Sequence, residues 1–586
     1  MGLPLFYLEL IVGQFSGLGA NVAFYRMAPL FQGVGYCTLF VIYLITLYYH
    51  VITAWTLFYT AASFSSVLGW SNCNHDFNSL NCYSFDDDQE CREQSADVAQ
   101  TFWNRTCLAV KDVCESKGYS YVSGFDCIHT VNGTSIALRE VLSERVMASE
   151  EFYVDYAMGV RGATWSHWGG MRWEMVGWLA LAWVIAYLCL IRGVQSMGKV
   201  VYFTALFPYV VLTALLVRGA TLDGAADGVY FYMKPDFSEL LKPAVWGDAA
   251  SQTFYALGIS CASLVTLSSY NKFNNNCHRD AVFVAIANLL TAIFAGFGVF
   301  CVLGVMAKET GQEVKDVVDS GPGLAFIAYP EAISRMPLPQ LWAVLFFLML
   351  FVLGLGSQFA GIEAMSAAVL DEWPSLRRRK PVVTACVCCS CFLLALPMCF
   401  QSGVYIFTML DWHTAYWAIF LLGFAEVAVV AYVYGVDRFL DDIASMGMKF
   451  SPFTRFYWKA AWLVLAPLTL LGVTAFTLSS FTHASFGSYK FPPVVDAFGW
   501  LIGISTLVPL PAFALYRLAA GEQRGWDLLR PLKSWGPQGS AETPLHAGVV
   551  VTATVDDVPR AFASPAPSDS EATYDNPAYE ADAKAQ

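Results

Sequence analysis

Polar positions are scarce along most of this chain, and where they fall decides its organisation. Apolar runs of about 20 residues, the length that crosses ~30 Å of hydrocarbon, recur from one end to near the other. They lie near 2–25, 36–64, 174–192, 200–218, 247–268, 281–306, 339–368, 382–400, 404–434, 458–480 and 494–517. This pattern predicts an all-α polytopic membrane protein of about eleven spans. It divides the chain into spans in 1–66, a polar segment 67–173, further spans in 174–518, and a polar tail 519–586. A shorter excursion at 309–338 holds "GPGLAFIAYPEAISRMPLP", whose Gly and Pro content predicts a re-entrant or capping hairpin.

Composition agrees with the pattern. Of 586 residues, 56% are hydrophobic and 14% charged, where a soluble domain carries about 25% charged residues. The formal charge of −13 sits largely in loops and the tail. No basic face exists for a nucleic acid.

Lys and Arg near the span ends set the orientation. Arg377, Arg378, Arg379 and Lys380 form the strongest cluster. Arg192 with Lys199, Lys272 with Arg279, and Arg524, Arg530 and Lys533 fall on the same side. That side, with the C-terminus, is predicted to be cytoplasmic, in a plasma-membrane protein. The opposite side receives 67–173, with sequons at Asn104 and Asn132 and cysteines 73, 82, 91, 107, 114 and 127. Cysteines in even number beside sequons predict an oxidising, glycosylated exterior. Six cysteines allow fifteen pairings; proximity favours Cys73 with Cys82 and leaves the others open. An odd number of spans ahead of a cytoplasmic tail places Met1 outside or within the membrane. The simplest expectation is that a further span precedes this sequence.

After Trp535 the chain is rich in Pro, Ser and acid and predicts disorder. Within it Asn576, Pro577 and Tyr579 form an NPxY pattern, a turn that an adaptor domain can dock.

A charge in a span is costly and points to function. Glu9, Glu363, Asp411 and Glu426 lie in or at the ends of spans, with Gln252, Asn288, Ser357 and Gln358 as neutral polar groups. The competing reading is bonding between helices. One span, "VWGDAASQTFYALGISCASLVTLSSYNKFNNN", carries Gly258 and Ile259 at its centre, where helical propensity falls. Irregular backbone at membrane depth persists only where it is buried in protein or lines a cavity. Its free carbonyls suit a small cation, and the N–H groups of a half-helix suit a carboxylate. Outside the spans there is no nucleophile–base pattern, metal-spaced His/Cys set or phosphate loop, so an enzyme is not expected. The Cys386, Cys388, Cys389, Cys391 cluster reads as small packing residues.

Four stretches carry a resemblance: "GLPLFYLELIVGQFSGLGANVAFYRMAPLFQGVGY", "GKVVYFTALFPYVVLTALLVRGATLDGAADGVYFY", "SSYNKFNNNCHRDAV" and "GPGLAFIAYPEAISRMP". In this order they closely resemble the neurotransmitter:sodium symporter family over nearly all of 2–520. The resemblance implies a LeuT-like inverted-repeat fold of twelve spans, with the opening stretch in the family's second span and the first span absent. It implies sodium ligands at Asn288, at the Ala256 carbonyl, and at Leu353, Gly356 and Ser357. Gly356 lacks the side-chain oxygen many members carry there. Gln252 matches a chloride ligand, whereas Ala256 and Ala292 stand at two of its hydroxyl positions, so chloride (Cl-) dependence does not follow.

Ile45, Tyr49, Tyr255, Gly258, Cys261, Ser357 and Gly361 fall at substrate-pocket positions. Asp411 matches the outer-gate acid, Asp371 the inner-gate acid, and Tyr270 the inner-gate tyrosine. The arginine partners of both acids belong to parts of the family not present here. Glu9 resembles the glutamate that bonds the unwound sixth span. "TFYALG" and "SYNKF" look most like the glycine-transporter branch.

The implied function is sodium (Na+)-coupled import of a small neutral, glycine-like amino acid or related neurotransmitter by alternating access. The implied partners are an amino-acid or amine substrate, the lipid bilayer, an NPxY-binding adaptor and a second copy in a homo-oligomer, with no nucleic acid. The alternative is a truncated, non-transporting member, a regulatory subunit or an incomplete gene model.

Overall fold

The computed structural model describes residues 2–537, apart from 94–98, 130–134, 143, 192–193, 311–312, 317–322, 415–416, 480, 482, 488 and 521–524. Asn132, Arg192, Arg524 and the NPxY residues Asn576, Pro577 and Tyr579 lie outside the described residues.

The apolar runs become helices: α1 Gly2–Ser16, α2 Ala20–Met27, α3 Gln32–Ala62, α4 Trp173–Leu190 and α5 Val194–Ala220, then α6 Pro243–Leu257, α7 Ser263–Ser268 and α8 Cys277–Thr310. The hairpin region contributes α9 Tyr329–Ser334. Then follow α10 Pro339–Glu372, α11 Lys380–Ala395, α12 Gly403–Thr414, α13 Ala418–Ala428, α14 Pro452–Ala460, α15 Ala466–Ser479, α16 Pro493–Ser505 and α17 Pro509–Ala520. Among the described residues, eight stretches are long and apolar enough to cross a membrane, and two bent pairs, each taken as one span, raise the number to ten. The expected eleventh, 247–268, is split. At 15 and 6 residues, α6 and α7 are each shorter than the ~20 residues of a crossing.

Local sequence sets these boundaries. Proline at the first helical turn opens α6, α10, α14 and α16, where its missing N–H costs nothing. Ser451 caps α14 by accepting the Thr454 N–H at 3.2 Å. The α1 and α2 axes meet at 83° across "GLG", with Gly17 in the left-handed region at φ +64.

The core wraps around α1, whose Leu5, Tyr7, Leu8, Ile11 and Val12 are all buried. A Cβ on Gly13 would stand 2.0 Å from the Val265 carbonyl, so only glycine allows α1 to touch α7 backbone to backbone. Trp462 donates its Nε1–H to the Pro4 carbonyl at 2.9 Å and stacks on Tyr7. At the far end of α1, Gln14 Nε2 donates to the Phe273 and Asn275 carbonyls at 3.1 and 2.7 Å, fixing the "SYNKFNNN" loop.

Between α3 and α4 lies a small module closed by disulfides Cys73–Cys82, Cys91–Cys107 and Cys114–Cys127. The pairing favoured by proximity is present, and the structure supplies the other two. Strands Gln100–Trp103 and Thr106–Ala109 form an antiparallel hairpin. Its turn is Asn104, exposed, and Arg105, half-buried, both at positive φ. Trp103, Val110, Val113, Leu138 and Leu142 fill a separate core. The module rests on the hairpin helix α9 through Trp70 Nε1, which donates to the Pro330 carbonyl at 3.1 Å, and Arg335, whose guanidinium covers the Phe85 ring at 4.6 Å. Gln340, at the start of α10, donates to the Ser66 carbonyl at 2.8 Å. The 34 residues of α10 then carry the chain about 50 Å to the Arg377–Lys380 cluster, at the end opposite the module.

Candidate functional site

The site is built on the break between α6 and α7. Gly258 ends α6 at φ +65, and Ser260 and Ala262 follow at φ +59 and +57. Left-handed backbone costs a non-glycine residue roughly 1–2 kcal/mol, so something must hold it. Glu9 on α1 accepts the Ser260 N–H at 2.7 Å, and Glu426 on α13 accepts the Ser260 hydroxyl at 3.1 Å. Both glutamates are within the core, 0% and 1% exposed. Two carboxyl groups from different helices therefore face each other across one serine and satisfy groups that the break leaves without helical partners.

Beside the break stand the aromatic groups of α3 and α6. The Tyr48 and Tyr255 hydroxyls lie 3.4 Å apart, and Asp411 on α12 reaches the same Tyr48 hydroxyl. Tyr49 faces Ser357 of α10, and Ile45 is buried one turn away. Cys261 is buried in the break. Gly361 packs tightly: a Cβ there would lie 2.6 Å from Thr46 Oγ1, so glycine permits the close approach of α3 and α10.

The positions matched to ions are spread over three helices. Asn288 on α8 is half-buried, and Gln252, Ala256 and Ala292 are exposed. On α10, Leu353 is 42% exposed, Ser357 is exposed, and Gly356 is half-buried. The atom nearest to a Cβ at Gly356 would be Thr204 Oγ1 of α5, at 3.8 Å. A cavity of about 790 Å³ between α5 and Trp342, lined by Tyr209, Thr213 and Arg218, contains none of these residues. The side-chain geometry marks the site better than that cavity does.

At the Arg377–Lys380 end, Tyr270 donates to Glu363 at 2.7 Å and Lys380 approaches the same oxygen at 2.5 Å. Asp371 accepts the Gly19 N–H at 2.9 Å. Arg377 lies 3.4 Å from its other oxygen, so Asp371 has an arginine partner from its own end of the chain. Of the cysteine cluster, Cys388 and Cys391 are buried and Cys386 and Cys389 exposed. No group of three or more His, Cys, Asp or Glu that could hold a metal ion occurs among the described residues.

Sequence reasoning missed Ser260 and Tyr48. Ser260 follows directly on the Gly258–Ile259 break and was legible as part of it. Tyr48 is masked by its neighbour, because adjacent tyrosines differ only by 100° of helical rotation.

The profile of the sodium:neurotransmitter symporter family matches residues 1–131 and 118–521. The human sodium- and chloride-dependent neutral and basic amino acid transporter B(0+) is 38% identical over 546 residues, covering 92% of this chain and 82% of that protein. The mouse sodium- and chloride-dependent GABA transporter 2 is 36% identical over 527 residues, 88% of this chain and 78% of its own. The Xenopus laevis sodium- and chloride-dependent glycine transporter 1 is 35% identical over 545 residues, 92% and 80%. A multi-span helical protein with a buried helix break is thus placed by its sequence as well. The chain belongs to the sodium:neurotransmitter symporter family.

Proposed function

We propose that this chain is a sodium-coupled symporter that imports a small neutral amino acid or related neurotransmitter by alternating access. The observation that carries the reading is the Glu9–Ser260–Glu426 arrangement. It keeps main chain open at the centre of a helix bundle, where carbonyls can meet a cation and amides a carboxylate. Tyr49, Tyr255 and Ser357 supply hydroxyls beside the break, and Asp411 and Asp371 lie towards its two ends. Relatives named for neutral and basic amino acids, GABA and glycine support an amino-acid-like substrate. Sodium ligands are proposed at Asn288, Leu353 and Ser357 and at the Ala256 carbonyl. Chloride is the weaker coupling ion in this reading, because Ala256 and Ala292 bring no hydroxyl to Gln252.

The reading further places the protein in the plasma membrane with a cytoplasmic tail, Asn104 glycosylated on the outside and not an enzyme. An adaptor on the NPxY tail and a homo-oligomer complete the proposal. Surface-expressed protein should accumulate labelled glycine, alanine or GABA when sodium is present, and not when it is replaced by choline. Exchange of chloride for gluconate should lower uptake only partly. Absence of sodium-dependent uptake across a panel that adds lysine and leucine, with surface expression verified, would sink the reading.

A further inference from the structure

At the module end of the bundle a buried histidine faces a buried carboxylate. His413, in the last turn of α12, is 0% exposed and Asp496, in the first turn of α16, is 6% exposed. The His413 Nδ1 lies 3.0 Å from the Met409 carbonyl. A carbonyl only accepts, so Nδ1 carries the hydrogen and the neutral ring presents a bare Nε2 lone pair. That Nε2 points at Asp496 Oδ1, 3.7 Å away, and both atoms are buried without a hydrogen-bond partner among the described residues. Two acceptors therefore face each other in a buried place, an arrangement that burial penalises and that one added proton converts into a charge-assisted pair. The other Asp496 oxygen accepts Nδ1–H of His483 at 2.7 Å, and the His483 side chain is 81% exposed.

We propose that His413, Asp496 and His483 form a proton-binding site read from the solution on the module side. His483 exchanges protons with solvent, Asp496 links the two rings, and the proton is stored on His413 Nε2. Binding it clamps α12 to α16.

The packing supports a site of this kind. Phe481 and Trp500 enclose the His413 ring at centroid distances of 5.7 and 6.3 Å. A Cβ on Gly499 would stand 2.3 Å from Nδ1, so only glycine lets α16 pack this closely on the ring. The other titratable groups on elements packed against α12 face other partners. Tyr48 of α3 meets Tyr255 and Asp411, and His50 of α3 meets Trp183. Tyr405 of α12 stacks on Tyr489, and Cys399 lies buried in the turn before α12. Asp496 is the carboxylate within ion-pair distance of His413 among the described residues. The end of the bundle is fixed by contact with the disulfide-bearing segment: Tyr405 donates to the Ala163 carbonyl at 3.3 Å, and the Trp165 N–H donates to the Tyr489 hydroxyl at 3.3 Å.

The consequence for transport rests on the symporter reading, because α12 also carries Asp411 two residues before His413. The site itself is tested without transport. Full-length protein in nanodiscs is compared at pH 7.5 and 5.5 by hydrogen exchange of peptides covering 403–414 and 493–505, corrected for the intrinsic pH dependence of exchange. Exchange should slow about tenfold at pH 5.5, the scale of one charge-assisted hydrogen bond. In Asp496→Asn and His413→Gln the difference should vanish. His483→Gln should keep it, since Nε2 and Asp496 remain. A pH response that survives in Asp496→Asn, or one that EDTA abolishes, overturns the proposal, the latter in favour of a metal ion. Failure of uptake in every form would defeat the symporter reading and leave the exchange result standing.

Discussion

Glu9 and Ser260 are 251 positions apart in sequence and joined by one hydrogen bond, the Ser260 N–H to Glu9 Oε1 at 2.7 Å. Glu9 sits on a helix buried on every side, and Ser260 lies in a segment with left-handed backbone at 258, 260 and 262. The bond therefore turns a buried carboxyl group on α1 into the support of a break in the neighbouring span.

Replacing Glu9 with Ala strands a buried N–H and should cost about 1–3 kcal/mol. Thermal unfolding of the detergent-solubilised protein should fall accordingly, and sodium-dependent uptake should be lost. Glu9→Gln keeps an acceptor and should retain most stability. An Ala variant as stable as the parent would show that the break holds itself.

The sodium-site reading gives Gly356 a specific test. A Cβ there meets only ordinary contact, Thr204 Oγ1 at 3.8 Å, so Gly356→Ser fits without repacking. The added hydroxyl should lower the sodium concentration for half-maximal uptake by about fivefold, the effect of roughly 1 kcal/mol. An unchanged sodium dependence at normal surface expression would remove Gly356 from the ion site.

At the hairpin, Glu331 of α9 pairs with Arg335 at 2.7 Å. Burial pushes the Glu331 carboxyl up from 4.5 to about 7, with Asp86 adding repulsion, and pushes the Arg335 guanidinium down to about 10. A raised carboxyl holds its proton more tightly in the folded form. Its contribution is therefore fully present below pH 4.5 and is lost as pH rises towards about 7. Protection of 323–336 against hydrogen exchange should decline across that window in the parent, and the decline should flatten in Glu331→Gln. The same slope in both would assign the pH dependence to another group.

Much of this was legible in the residues. Span positions follow from length and apolarity alone, and the break was visible at Gly258 because glycine and a β-branched neighbour weaken a helix in any setting. What one sequence could not give was partnership. Glu426 was visible as costly, but that it meets Glu9 across Ser260 depends on how α1 and α13 pack. Arg377 reads as an orientation signal, yet it also approaches Asp371. The two further disulfides depend on the strand register of the module, which six cysteines leave open. Gly361 stands at a pocket position by the family resemblance alone; its close approach to Thr46 depends on how α3 and α10 pack.

That approach yields the sharpest test of the packing. Thr46 Oγ1 is held to the Ile42 carbonyl at 2.7 Å and would lie 2.6 Å from a Cβ at Gly361. The threonine is stiff about χ1, so Gly361→Ala must either break that bond or push α10 away, at about 1–3 kcal/mol. Surface expression and unfolding temperature should both drop. Thr46→Ala removes the offending oxygen, and its combination with Gly361→Ala should recover most of the loss, a coupling that two independent sites would not produce. Were Gly361 instead a lining of the substrate site, Gly361→Ala would leave stability unchanged and shift KM, and Thr46→Ala would not rescue it.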